Sequence, residues 1–451
     1  MFEKVLIANR NEIALRIIRA CRELSIPTVA VYSTADANAV HVRFADEAVC
    51  IGPPTATLSY LHQPSILAAA EITGADAIHP GYGFLAENAQ FASAVRAMGK
   101  TFIGPSVEHL RMFGDKLSAK AAADRAGLPM LKGSGGAVAT LEEAITAAEI
   151  AGYPVMLKAA AGGGGKGMRV VEDRETLARV FQVTQTESQA AFGSSDVFIE
   201  RFLRTPRHVE VQVAGDGLGG GIHVGTRDCS MQRRHQKIIE EAPAPGLSDS
   251  LRHRIQEAAA DLVRNTHYQT VGTVEFLVEG EEFFFLEVNP RIQVEHPVSE
   301  EVTGIDLIQL QMELAAGKGF SITQDDVKTE GHAIEVRVNA EHPSSFLPSP
   351  GLVTGYHEPG GPGVRIDSAI HEHAMVQPYY DSLTAKLIVK GRDRDHALRR
   401  MIGAIDEFIV EGIHTTLPLQ RELLLSDEFR NVKFWTRFVD QWVAERNQKP
   451  G

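Results

Sequence analysis

A chain of 451 residues with 44% hydrophobic and 23% charged content has globular composition and is too long for one ordinary core, so two or three domains are expected. Its formal net charge of −13 excludes a general nucleic-acid binder, because phosphate backbones reward a basic surface; any anion site must be built from locally concentrated cations. Cys21, Cys50 and Cys229 form no CxxC pair, which excludes a disulfide framework or structural zinc site and favours a reducing compartment. No apolar run is long enough to span a bilayer, and the start MFEKVLIANR does not read as a leader, so a cytoplasmic protein without a membrane anchor is expected.

Residues 1–114 alternate short apolar runs with helical patterns: a strand at 4–8, a helix at 12–24, strands at 27–32 and 77–79, and a helix at 88–98. That rhythm predicts a parallel sheet wrapped by helices. The turn after the first strand reads Ala8-Asn9-Arg10-Asn11-Glu12 rather than GxGxxG, which disfavours a nicotinamide-dependent oxidoreductase. Residues 115–328 open with an alanine-rich helix at 116–126, carry a shorter α/β stretch from 141 to 203, and turn to strand-like alternation from Val209. Within that region 272–278 and 282–289 flank the turn Glu279-Gly280-Glu281 and predict an antiparallel hairpin. The expectation is an α+β body with an inserted lid at about 133–203. Residues 329–451 predict strands at 332–339, 363–367 and 385–390, then helices at 396–407 and 434–447.

Three motifs carry chemistry. Gly162-Gly163-Gly164-Gly165-Lys166-Gly167 lies between two predicted strands, with Lys158 just before it. Backbone amides there can approach an anion without side-chain obstruction, and the lysines add charge, which suits a triphosphate. The loop is not a P-loop, since no hydroxyl residue and helix follow the lysine.

In the second motif, Phe283 to Pro297, a chain that stays extended puts Glu287, Asn289, Arg291, Gln293 and Glu295 on one polar face. Glu287 and Asn289 offer hard oxygen ligands, and Glu275, in the apolar strand Gly272–Leu277 across the hairpin, offers a third for magnesium. Arg227 to Lys237 (RDCSMQRRHQK) is dense in cations within an acidic chain; a basic run of this kind serves equally as a pocket or as a solvated face, and Cys229 reads as a packing residue. His79 to Asn88 (HPGYGFLAEN) fits a capped strand-to-helix turn as well as a substrate loop. Glu12, Arg16, Arg19 and Glu23 share one helix face, suited either to pairing across a two-fold interface or to solvent.

ANRxEIA, HPGYGFLAEN, GDK, GGGGKGM, RDCSMQRRHQK, EEAPAP, EVNPRIQVEHP, RVNAE, FLPSPG and PYYDSL occur in this order, and together the chain resembles the biotin carboxylase family over residues 2–446. The resemblance implies an ATP-grasp fold: an N-terminal parallel α/β domain (1–114), a central ATP-grasp domain (115–328) whose mobile glycine-rich lid closes over ATP, and a mixed C-terminal domain (329–451). Residue by residue it implies nucleotide contacts at Lys116, Lys158, Gly164, Gly165, Glu200, Leu203, His208, Gln232, His235 and Leu277. It implies metal ligands at Glu275, Glu287 and Asn289, for magnesium or manganese. A bicarbonate pocket at Lys237, Arg291, Gln293 and Val294, a general base at Glu295 and a biotin site at Tyr82 and Arg337 are implied likewise, with Lys237, Arg291 and Glu295 as the catalytic set.

The reaction so implied activates bicarbonate with ATP as carboxyphosphate and transfers the carboxyl group to biotin, Arg291 stabilising the biotin enolate. The biotin belongs to a separate carrier protein, since no AMKM-like segment occurs here, and carboxyltransferase subunits complete the complex. Acetyl-CoA carboxylase, in fatty acid synthesis, is the expected parent, with pyruvate or propionyl-CoA carboxylase, or another ATP-grasp carboxylate–amine ligase, as alternatives. A homodimer is implied too. Where the family commonly has glycine in ANRGEIA, this chain has Asn11, a residue able to take the left-handed backbone conformation.

Overall fold

The computed structural model describes residues 1–159, 168–192 and 195–448, which fall into two compact units. The first comprises Met1–Leu128, Arg207–Glu281 and Leu286–Gly451; the second comprises Pro129–Pro206 with Glu282–Phe285.

In the first unit the N-terminal strands β1 (Val5–Ile7), β2 (Thr28–Ser33), β3 (Glu47–Gly52), β4 (Ala77–His79) and β5 (Thr101–Phe102) form a parallel sheet of order β3-β2-β1-β4-β5. Continuous apolar runs such as Val5-Leu6-Ile7 suit this arrangement because both faces are covered. On one side the helix Asn11–Glu23 inserts Ile13, Ile17 and Cys21; on the other, Phe91, Val95 and Leu110 pack against Leu6, Val29 and Ile78. The strand order reverses between β1 and β4, and the loops leaving their carboxyl ends begin at Ala8 and Pro80, where open parallel sheets place ligands. Asn11 takes φ +60°, as its replacement of glycine requires, and its amide donates to the Leu383 carbonyl at 2.8 Å.

The second unit is built on β6 (Val155–Ala159), β7 (Met168–Val171) and β8 (Val197–Arg201), an antiparallel sheet of order β7-β6-β8. Helices Leu141–Ala151 and Arg174–Phe192 lay Ala144, Ala148, Leu177 and Phe181 on Val155, Leu157 and Ile199. The glycine-rich loop, with Gly164 and Gly165, lies outside the described residues.

An eight-stranded sheet forms the centre of the first unit. Its strands are β9 (Arg207–Asp216), β10 (Gly221–Arg233), β11 (Gln236–Ala242), β12 (Gln269–Glu279), β13 (Glu282–Asn289), β14 (His332–Asn339), β17 (Val364–Ser368) and β19 (Leu383–Gly391), in the order β13-β12-β9-β10-β11-β14-β19-β17. β13 contributes to this unit from Leu286 onward. Two small ladders, β15 (Gly351–Leu352) with β18 (Met375–Val376) and β16 (Gly355–His357) with β20 (Ile409–Glu411), complete the set. Alternation sorts the central strands: Ile334, Val336, Val338, Leu387 and Val389 face the helices of residues 394–448, while Glu335, Arg337 and Lys386 emerge opposite. The C-terminal helix starts at Phe438 rather than Phe434, because Phe434 and Trp435 precede it in a turn that packs against the core.

β11 is fastened to the helix Arg394–Glu407 by Glu241, whose buried carboxylate accepts from His332 Nε2 at 2.9 Å and from Arg394 Nε and Nη2 at 2.7 and 3.0 Å. Burial alone would raise its pKa, but the His332 hydrogen bond and the Arg394 charge pull it from 4.5 down to about 2. A depressed carboxylate stabilises the fold above the unfolded value and loses that contribution as pH falls toward 2. Glu241→Gln should therefore cost about 3 kcal/mol at pH 7. The gap from the parent chain, read from urea midpoints, should narrow between pH 5 and pH 3.

Candidate functional site

The site grows from the polar face of the eight-stranded sheet. Period-two alternation in Arg207-His208-Val209-Glu210-Val211-Gln212 turns His208, Glu210 and Gln212 to one side, and Val209 and Val211 into the core. Arg227 of β10, with no exposed surface, satisfies this face: Nε donates to Glu210 at 2.5 Å, Nη1 to Gln212 at 2.7 Å and Ser299 at 3.0 Å, and Nη2 to Thr273 at 3.1 Å and Gln293 at 2.8 Å.

Beside it, Lys237 Nζ donates to three carboxylates, Glu210 at 2.7 Å, Glu275 at 3.0 Å and Glu295 at 2.6 Å. Arg337 Nη2 donates to the other oxygen of Glu295 at 2.8 Å while its Nε holds Glu240 at 2.6 Å. Burial opposes ionising Glu295, yet Lys237, then Arg337 and Arg227, hold its carboxyl well below the usual range. Glu295 is thus an anion with both oxygens already engaged by cations.

Sequence alternation grouped Glu287, Asn289, Arg291, Gln293 and Glu295 on one extended face, and the structure corrects the reason. The strand stops at Asn289; Pro290 brings no amide to continue a ladder, Arg291 N–H turns back to the Asn289 carbonyl at 2.8 Å, and a turn at 293–296 leads into the helix His296–Thr303. Asn289, Gln293 and Glu295 still converge, because Glu275 Oε1 accepts from Asn289 Nδ2 at 2.8 Å and Gln293 Nε2 at 2.9 Å, and Lys237 reaches both Glu275 and Glu295. Arg291 donates to Asn289 Oδ1 at 3.0 Å and pairs with Glu87 at 2.5 Å.

The expected metal ligands are Glu275, Glu287 and Asn289. Glu275 Oε2 pairs with His208 Nε2 at 2.8 Å; burial alone would lower the His208 pKa, but Glu275 overcomes it and raises it. Glu287 stands open to solvent near the end of β13, its carboxyl raised by partial loss of solvent and by repulsion from Glu275. Glu275 and Glu287 repel each other, and with the side-chain oxygen of Asn289, which here accepts from Arg291, they offer the hard oxygen donors that a divalent magnesium ion takes, so the residue types fit such a group.

Above this floor a cavity of about 540 Å³ is lined by Asn9–Ile13 and Tyr82–Phe84 from the carboxyl ends of β1 and β4, together with Gln236, Arg291, Val294, Arg337 and Tyr380. Tyr82, Arg291, Val294 and Arg337, separately named from the sequence, meet here. Asn9 shapes the Tyr82 loop, its amide donating to the Pro80 and Tyr82 carbonyls at 2.7 Å each. Asn88 caps the following helix by accepting from Phe91 N–H, so HPGYGFLAEN serves both as capped turn and as cavity wall.

Of the expected nucleotide contacts, Lys116 is exposed at the start of its helix, Gln232 is buried in β10, Leu277 pairs with His208 across β12 and β9, and His235 sits in the exposed turn between β10 and β11. Lys158 and Glu200 are paired within the second unit, where Leu203 is also buried. The charged face of the first helix is corrected: Glu12 and Arg16 are buried within the chain, Arg16 binding Glu300 and Asp306 at 2.8 Å each, and Glu23 accepts from Gln309. The apolar Ile13, Ile17 and Cys21 lie so close to Glu12 and Arg16 around the helix that both polar residues are carried inside with them.

Comparison with known proteins then decides the family. Residues 1–110 match the model for the biotin carboxylase N-terminal domain, 115–323 that for the carbamoyl-phosphate synthase L chain ATP-binding domain, and 335–441 that for the biotin carboxylase C-terminal domain. The Pseudomonas aeruginosa biotin carboxylase is 55% identical, over 95% of this chain and 96% of its own. The chain belongs to the biotin carboxylase family. One subunit of the Methanothermobacter thermautotrophicus pyruvate carboxylase is 47% identical, covering 98% of this chain and 90% of that one. The biotin carboxylase domain dimer of Hydrogenobacter thermophilus 2-oxoglutarate carboxylase, solved with MgADP, ADP and bicarbonate, superposes with TM-score 0.86 at 43% identity, over 98% of each chain. The fold is accordingly the ATP-grasp fold of biotin carboxylases with an N-terminal parallel α/β domain, and the activity class is that of an ATP-dependent carboxylating ligase.

Motif reading missed the residues that hold this biotin carboxylase pocket together: Arg227, Glu210, Glu240 and Glu12. Alternation in RHVEVQV could have found Glu210; Arg227 stood in the cationic run without a sign that it faces inward.

Proposed function

We propose that this chain carboxylates biotin on a separate carrier protein, using ATP and bicarbonate, as the first half-reaction of an acetyl-CoA carboxylase. The observation that carries the reading is Glu295 gripped by Lys237 and Arg337, at 2.6 and 2.8 Å, next to the cavity that Tyr82, Arg291 and Val294 line. Lys237, Arg291, Gln293 and Val294 are assigned to bicarbonate, Tyr82 and Arg337 to biotin, and Glu295 to the proton of bicarbonate. Lys116, His208, Gln232, His235 and Leu277 on the first unit are assigned to the nucleotide. So are Lys158, Glu200 and Leu203 on the second, with Gly164 and Gly165 outside the described residues.

Glu295 takes the proton of bicarbonate as its oxygen attacks the γ-phosphorus of ATP; ADP leaves, and carboxyphosphate forms. An ion-paired carboxylate is a weak base, so bicarbonate must loosen the grip on it: its negative charge competes for Lys237 and Arg337 and raises the basicity of Glu295 where the proton is taken. Magnesium, held by Glu275, Glu287 and Asn289, supplies charge neutralisation for the phosphates. Arg291 offers positive charge to the biotin ureido oxygen when the carboxyl group is transferred.

Acetyl-CoA is proposed as the final acceptor because the chain matches, nearly end to end, a relative named simply biotin carboxylase; a subunit named for pyruvate carboxylase is also similar, and the choice between acceptors is assigned to the carboxyltransferase partner. A homodimer is proposed on the solved relative's being a domain dimer. A cytoplasmic complex accords with the absence of any helix long and apolar enough to cross a membrane among the described residues.

The test is ATP hydrolysis by the purified chain with magnesium, with and without bicarbonate and free biotin. Hydrolysis that needs bicarbonate and rises with biotin is expected; hydrolysis indifferent to both would point to another carboxylate ligase.

A further inference from the structure

We propose that Lys386 is a positioning residue for the bicarbonate and biotin pocket: buried below it, the ammonium holds the Val294 carbonyl and the Glu12 carboxylate that carries Tyr82. The inference rests on the functional reading above and adds a residue that touches no substrate.

Alternation along β19 sends Ala385, Leu387 and Val389 into the core on one side and Lys386 out on the other, between cross-strand neighbours Arg337 and Asp367. The helix His296–Thr303 covers that face, Val298 and Val302 packing on Ala242, Ala333 and Ile388, so Lys386 has no exposed surface. Its ammonium donates to the Val294 carbonyl at 2.9 Å and lies 3.3 Å from Glu12 Oε2 and 3.8 Å from Asp367 Oδ2.

These partners are not equivalent. Asp367 is already bound by Arg365 through Nε and Nη2, at 3.0 and 2.8 Å, and does not depend on Lys386. Among the described residues Glu12 Oε2 meets no well-aligned donor and is balanced by the Lys386 ammonium 3.3 Å away, while Oε1 accepts from the Tyr82 hydroxyl. Val294 sits between Gln293, bound by Arg227, and Glu295, bound by Lys237 and Arg337. Side chains thus fix residues 293 and 295, and Lys386 fixes the carbonyl between them. A rotation of that carbonyl would move the Glu295 backbone and the Val294 lining together.

A purely structural role, neutralising Glu12, is separable by a double substitution. Lys386→Met keeps an unbranched side chain one atom shorter and removes the donor; Glu12→Gln keeps an acceptor for Tyr82 and removes the charge that Lys386 balances. Bicarbonate-dependent ATP hydrolysis is measured on Lys386→Met, Glu12→Gln and the double variant at varied bicarbonate, biotin and ATP, alongside urea denaturation. The expected result is a tenfold or larger rise in KM for bicarbonate and biotin in Lys386→Met, with KM for ATP within twofold. The double variant should regain most of the urea stability and keep the raised bicarbonate KM. If Lys386→Met does not fold, the double variant carries the test, since Glu12 then holds no charge, Asp367 keeps Arg365, and burial already raises the neighbouring Glu335 carboxyl toward its neutral form. Return of both KM values to the parent's along with stability, or a Lys386→Met variant with parental KM values, overturns the proposal. A parent chain whose hydrolysis ignores bicarbonate and biotin would instead sink the functional reading itself.

Discussion

Glu295→Gln should lower bicarbonate-dependent ATP hydrolysis by about 10²- to 10⁴-fold, the range spanned by a positioned general base, while ATP affinity stays within threefold. The substitution is nearly isosteric, and the cations it releases are not orphaned: Lys237 keeps Glu210 and Glu275, and Arg337 keeps Glu240. Folding should therefore survive, and a rate loss can be read as chemistry. Steady-state hydrolysis with titrated bicarbonate, together with nucleotide binding by calorimetry, separates the two; near-normal turnover would remove Glu295 from the mechanism.

The largest effect on stability is expected at Arg227. Its replacement by methionine leaves Glu210 buried with only Lys237 donating to it at 2.7 Å and the His208 ring at 3.9 Å among the described residues, and strips donors from Gln212, Ser299, Thr273 and Gln293. Breaking a buried charge network by removing one partner costs about 3–5 kcal/mol, and a loss of that size should appear as a lower urea midpoint. Arg227→Lys should recover less than half of it, because one ammonium cannot replace a planar fork that reaches five side chains. A methionine variant as stable as the parent would mean that the network does not bear on folding.

Local pattern and tertiary placement were legible to different degrees. Strands at 77–79 and 332–339 and the helix after Asn11 follow from residue periodicity, since Ala77-Ile78 is a short apolar run suited to a buried parallel strand, 332–339 alternates as an antiparallel strand with one polar face does, and this helix carries a clear apolar stripe. The site residues were legible through motif resemblance more than through physics. Alternation grouped Asn289, Gln293 and Glu295 correctly but for a strand that ends at Asn289; their convergence comes from a turn held by Glu275 and Lys237, which lie on other strands. Glu12 and Arg16 show the limit from the other side, since charged residues on a helix read as solvent-facing until the partners Lys386 and Glu300, hundreds of positions later, are brought against them.

The eight-stranded sheet has a bearing on how such a chain can be divided. The stretch between the second and third matched family regions, residues 324–334, runs into β14, and β14 is paired from Ala333 to Val336 with β11. A cut there would strip both strands of their partner, leaving two bare edges rich in isoleucine and valine, the kind that recruit foreign strands. Arg337 would also part from Glu240 and Glu295, and Lys386 from Val294. The boundaries by which the sequence is recognised are therefore not seams along which the protein can be taken apart, and an exchange of modules between relatives would have to carry the whole ladder with it.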